Sequence, residues 1–86
     1  MANYHLTNEW QSLSQLLGED YDSTKKYRIH SNIRIGLLVY SININDRGAF
    51  INFSDEIYND VGIDLYLKTT ETTDYTDNDV YITEVA

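Results

Sequence analysis

The sequence predicts a mainly β protein, a small single-domain β-sandwich or barrel of five to six short strands with one short N-terminal helix. Three observations lead there. From about residue 26 the hydrophobic period drops to two, as a pleated strand requires. β-Branched and aromatic residues gather in short runs, separated by turns rich in Asp, Asn and Gly. Apolar residues recur at helical spacing only once, near the N-terminus. The 86 residues fit a single small β domain, 1–86, with the helix over about 8–17 and strands from about 26 to 85.

The helix is read from "TNEWQSLSQLLG". Asn8 can cap the first turn, with Gln11 at capping-box spacing. Glu9 falls where the helix dipole favours an acid. Trp10, Leu13, Leu16 and Leu17 recur at helical intervals, and Gly18 supplies the stop. The Trp10–Leu13–Leu17 stripe is expected to cap the core.

"EDYDSTKK" follows as a polar turn. "KYRIHS" then alternates Tyr27 and Ile29 with Arg28 and His30. "IRIGLLVYSINI", Ile33 to Ile44, comes next, and "NDRG" closes it as a turn whose Gly48 can take a left-handed conformation. "AFINF" sets Phe50 opposite Ile51 and Phe53. "GIDLYLKT" places Ile63, Leu65 and Leu67 on one face and Asp64, Tyr66 and Lys68 on the other. "TTETTDYTDND" reads as a polar loop or edge, and "VYITEV" as the closing strand with Val80 and Ile82 inward.

"IRIGLLVYSINI" poses the sharpest problem, because both of its faces are apolar. Ile33, Ile35, Leu37 and Val39 share one face; Leu38, Tyr40, Ile42 and Ile44 share the other. As a twelve-residue strand it would extend about 40 Å, whereas a ten-residue helix covers only about 15 Å. A partner subunit is the simplest cover for the remainder, unless a bulge at Gly36 bends the strand.

Composition narrows the function classes. No cysteine is present, which excludes disulfide staples and thiolate metal sites. A domain this small commonly gains stability by oligomerisation or docking. No apolar run approaches the ~20 residues that span a bilayer, and "MANYHLTNEW" has neither a basic start nor an apolar stretch of the secretory kind. No membrane partner is expected. The net charge of −8 is unevenly spread. Residues 25–47 hold five of the six basic residues against Asp46 alone, and after Gly48 nine acids face only Lys68. Such an acidic domain repels nucleic acid, so no direct nucleic-acid binding is expected. Tyr27 beside Lys25, Lys26 and Arg28 is a faint counter-signal for a base-stacking surface.

Reaction chemistry is not visible in the residues. His5 and His30 lack a nucleophile partner at any telling spacing, no glycine-rich phosphate loop exists, and no spacing suggests a zinc site. In "DYTDND", an EF-hand register started at Asp74 puts Asp79 where glycine is needed and Val85 where the bidentate acid belongs, so it fails. The expectation is a non-enzymatic protein without cofactor or metal. Eight tyrosines exceed what a thin core can bury with every hydroxyl bonded. Exposed tyrosines suit either a protein interface or cross-strand pairs within the sheet. Arg34, Leu38, Tyr40, Ile42 and Tyr66 are the candidate partner-contact residues.

"EWQSLSQLLGEDYDSTKKYRIHSN" followed by "GLLVYS" resembles a diffuse group of small tailed-bacteriophage virion accessory proteins of head-decoration, fibre-base or tail-associated type. "DLYLKT" and the closing "VYITEV" extend the resemblance over most of the chain, while "ININD" replaces the proline-containing loop usual after the strand. The resemblance implies a structural component of the particle, assembled in the host cytoplasm and located in the virion. Its partners would be other virion subunits, capsid or tail proteins, in a homo-oligomer or multicopy assembly bound through sheet faces or edges. The alternative from the residues is an acidic DNA mimic that inhibits a host nucleic-acid-binding defence protein. Asp55, Glu56, Asp60, Asp64, Asp74, Asp77 and Asp79 would then stand in for phosphates.

Overall fold

A computed structural model describes residues 2–85. Eight strands occur among them: β1 (Ala2–His5), β2 (Gln11–Ser12), β3 (Lys26–Asn32), β4 (Leu38–Ser41), β5 (Ala49–Ile51), β6 (Glu56–Tyr58), β7 (Tyr66–Thr69) and β8 (Asp79–Val85). They form two four-stranded antiparallel sheets, ordered β1-β8-β3-β6 and β2-β7-β4-β5. The expected mainly β architecture is present, with more and shorter strands than the sequence suggested.

Strand β3 follows its alternation. Tyr27, Ile29 and Ser31 are buried, while Lys26, Arg28, His30 and Asn32 point outward. Strand β8 pairs with it and sends Val80 and Ile82 inward opposite Ser31 and Ile29. In the second sheet Leu38 and Leu67 face the same core. Leu6, Ile33 and Leu65, from segments flanking the strands, fill the space between the layers. Burying these side chains supplies the main driving force, at roughly 1.5–3 kcal/mol each.

The N-terminal segment departs from expectation. The helix, α1, covers only Leu13–Leu17 and runs into a 3-10 turn at Gly18–Asp20. Ser12, not Asn8, is its cap: Ser12 Oγ accepts from the Gln15 N–H at 3.2 Å, and the Gln15 side chain accepts from the Ser12 N–H at 2.8 Å. Asp64 reinforces that end by accepting from the Ser14 N–H at 3.0 Å and the Ser14 hydroxyl at 2.5 Å. Ala2–His5 and Gln11 are drawn into the sheets instead, where they pair with β8 and β7. Gly18, with φ 59°, ends the helix as expected.

The two-faced stretch is not one strand. Only Leu38–Ser41 is in a sheet. Gly36 takes φ 84° against the side chains of Thr70 and Glu71, where a Cβ would lie 2.6 Å from Thr70 Oγ1. Just before it, buried Asn78 accepts from the Ile35 N–H at 3.4 Å and donates to the Ile35 carbonyl at 3.0 Å. After Ser41, Asn43 takes over: its carbonyl accepts from the Ser41 hydroxyl at 2.7 Å and from the Asp46 N–H at 3.0 Å. The chain therefore turns at both ends. Ile33 enters the core by that bend, and Ile42 and Ile44 stay exposed.

"GIDLYLKT" is likewise extended only from Tyr66. Asn59, buried at the end of β6, accepts from the Tyr27 N–H at 2.6 Å and donates to the Ile63 carbonyl at 3.0 Å. That clamp turns residues 59–63 and leaves Ile63 outside the core row, with Leu65 and Leu67 inside.

Candidate functional site

Strand pairing determines which face each side chain takes. In β4, Leu38 and Tyr40 face inward; Val39 faces outward, opposite Phe50 of β5 and Lys68 of β7. Val39 and Trp10 both lie against Gly48. A Cβ at Gly48 would lie 2.6 Å from the Tyr40 carbonyl oxygen, 2.9 Å from Val39 Cγ1 and 3.2 Å from the Trp10 ring. With φ 81°, the position requires glycine both for its conformation and for its space. Trp10 is therefore half-buried on the outer face of the second sheet, not part of the core as its spacing with Leu13 suggested.

Three cations of the chain lie against aromatic rings. Lys68 Nζ lies 4.6 Å from the Trp10 ring centroid, and the Arg34 guanidinium carbon 4.6 Å from that of Phe53. Elsewhere, on the first sheet, Lys26 sits 5.4 Å from Tyr58. Arg47 differs: among the described residues it has neither a carboxylate within ion-pair distance nor an aromatic ring beneath it. It lines two depressions on either side of the β4–β5 hairpin. One, about 340 Å³, is a groove over Val39 and Phe50. The other, about 520 Å³, is a cleft walled by Tyr40, Ile42, Tyr58, Ile63 and Leu65.

The sequence-predicted contact residues divide accordingly. Leu38 is fully buried in the core and cannot meet a partner, because its face is covered by the domain's own first sheet. Tyr40 is half-buried against the core, and its outer part walls the larger cleft with Ile42, which is 68% exposed. Tyr66 lies on the opposite face of the sheet from Tyr40, opposite Ser41 and Ser12. Arg34 is exposed on Phe53. Trp10, Arg47, Phe50, Phe53 and Lys68 were not among the expected contacts; only their residue types, aromatic and basic, signalled them.

The other chemistry-bearing groups are occupied within the chain. His5 bonds Asp74 through Nε2 at 2.5 Å and Asp79 through Nδ1 at 3.3 Å, joining β1 to the 74–79 loop. The bond to Asp74, helped by that to Asp79 and by both negative charges, outweighs the opposing desolvation and raises the imidazole pKa. Glu56 lies 3.4 Å from both Arg28 and His30. Tyr27 is fully buried, its hydroxyl accepting from the Asp22 N–H at 2.8 Å and donating to the Asp20 carbonyl at 3.3 Å. It cannot stack on a nucleobase. No group of three or more His, Asp or Glu among the described residues is arranged to hold a metal ion.

Compared with protein-family models, curated proteins and solved structures, the chain matches none of them.

Proposed function

We propose that this chain is a non-enzymatic structural subunit of a bacteriophage particle, binding other virion subunits through the exposed side of its second sheet and the adjoining hairpin. The observation that carries the binding role is the apolar surface around β4 and β5. Phe50 is exposed on one side of the hairpin with Lys68, Ile42 and Ile63 are exposed on the other, and Arg47 borders both. Aromatic and arginine side chains amid apolar surface are the composition of a protein interface. The assignment to a virion rests on the resemblance, over most of the chain, to small tailed-bacteriophage virion accessory proteins.

The DNA-mimic alternative draws less support. Its carboxylates are dispersed, with Glu56 on Arg28 and His30, Asp64 on the helix end, and Asp74 and Asp79 around His5. Quantitative mass spectrometry of particles purified from cells encoding the chain tests the proposal. A fixed number of copies per particle is expected. Confinement of the protein to the soluble extract overturns the virion assignment.

A further inference from the structure

The groove over Val39 and Phe50 carries a charge opposite to that of the whole molecule. Its lining consists of two cations, Arg47 and Lys68, with apolar Val39 and Phe50 and uncharged Asn8 and Thr70. None of these is an acid, in a chain that sets fourteen acids against six basic residues. Nor are the two cations neutralised within the chain. Among the described residues, neither Arg47 nor Lys68 has a carboxylate within ion-pair distance, whereas Lys25, Arg28 and both histidines do. Asp46, next to Arg47 in sequence, lines the larger cleft across the hairpin, and Glu71, next to Thr70, lies against Gly36.

Strand pairing assembles this lining. Val39 of β4 is opposite Lys68 of β7 on one side and Phe50 of β5 on the other, which makes one row across the outer face. Arg47 joins it from the turn before β5 and Thr70 from the end of β7. The Trp10 ring takes up one side of the Lys68 ammonium and leaves its other N–H groups for an acceptor. Phe50 is 57% exposed, so an open aromatic ring stands beside two cations.

We propose that this groove takes a short acidic segment of a partner protein, in which carboxylates flank an aromatic residue. The carboxylates meet Lys68 and Arg47, and the aromatic side chain packs on Phe50 above Val39. A volume of about 340 Å³ holds a few side chains rather than a folded element. The proposal rests on the reading of this side of the sheet as a binding face and is independent of the virion assignment. Two copies of the chain repel through their net charge of −8, so the segment belongs to a different protein. A nucleic acid fits less well, because its phosphates run on past two cations into an acidic surface. Glu9, Asp46 and Glu71 each adjoin a lining residue in the chain. A short peptide places its charge only where the cations stand, and salt screens acids farther away than about 8 Å.

Heteronuclear NMR titration of the isotope-labelled chain tests this with three end-capped peptides, Glu-Phe-Glu, Gln-Phe-Gln and Glu-Ser-Glu. Glu-Phe-Glu should shift the indole N–H of Trp10, the single tryptophan, and the amides of Lys68 and Phe50. Its dissociation constant should be on the order of 1 mM and should rise with salt. The other two peptides should each bind several-fold more weakly. An Arg47→Gln/Lys68→Gln double variant with unchanged circular dichroism should lose about fivefold in affinity for Glu-Phe-Glu, and Lys26→Gln on the first sheet should lose none. No shift at these positions with millimolar Glu-Phe-Glu, equal binding of either other peptide, full affinity in the double variant, or tighter binding of a short oligothymidylate each overturns the proposal. A chain present at fixed copy number in particles that ignores Glu-Phe-Glu defeats this proposal alone. A chain that binds the peptide but stays out of particles defeats the virion assignment alone.

Discussion

The ammonium of Lys68 lies over the indole of Trp10, 4.6 Å from Nζ to the ring centroid, on the outer face of the second sheet. A tryptophan spaced for the core thus serves as a platform for Lys68 beside Gly48, and its energetic weight changes with its position.

Replacing Trp10 with alanine forfeits this stacking and part of the ring's burial, about 1–2 kcal/mol in all. Leu13→Ala removes a fully buried side chain and should cost about 2–5 kcal/mol. Urea denaturation of both variants gives the comparison. A Trp10→Ala loss equal to or above that of Leu13→Ala would return the indole to the core.

Gly48 and Gly62 both have positive φ, 81° and 87°, but differ in surroundings. A Cβ at Gly62 meets nothing within 4 Å, so Gly62→Ala should cost only the conformational penalty, about 1–2 kcal/mol. Gly48→Ala adds a collision with the Tyr40 carbonyl and Val39, neither of which is a flexible chain end. It should be clearly the more destabilising, and equal melting temperatures would contradict the tight packing described at the hairpin.

Asn59 satisfies two backbone groups at once, the Tyr27 N–H and the Ile63 carbonyl. Asn59→Ala leaves both without their partner in a buried setting, at a cost of about 2–4 kcal/mol. Asn59→Asp restores the acceptor but not the donor, and should recover only part of that loss. Thermal melts of the pair separate the two contributions.

His5 makes stability depend on pH in a definite direction. Its pKa is raised in the folded chain, chiefly by the hydrogen bond to Asp74, and next among the favourable causes by that to Asp79. The native state therefore holds the proton more tightly than the unfolded chain, whose histidines titrate near about 6.5. The stabilisation is fully present below that value and is lost as pH rises through the higher folded pKa. Melting temperature should decline over that window, and His5→Gln should flatten the decline. A His5→Gln protein with an undiminished slope would show that the link between β1 and the 74–79 loop does not operate.

Local pattern was enough to determine the β class, the inward row of β3 and β8, and the helix stop at Gly18. Each follows from alternation or backbone freedom within a few residues. Leu13 and Leu17 were legible as core for the same reason. The tertiary structure decided the rest. A two-residue period says that side chains alternate, but not where the backbone leaves its sheet. Between Ile33 and Ile44 that point is set by Asn78, Thr70 and Asn43, two of them distant in sequence. The same holds for the helix start, where pairing of Gln11 and Ser12 with Leu67 and Tyr66 displaces the cap from Asn8 to Ser12. Leu38 and Tyr40 were correctly placed on one face, but whether that face met a partner or the other sheet depended on how the two sheets stack. Trp10, Arg47 and Phe50 converge on one surface only because β2, β7, β4 and β5 lie side by side. Adjacency of that kind is a property of chain closure over long separations, which no local window of residue types encodes.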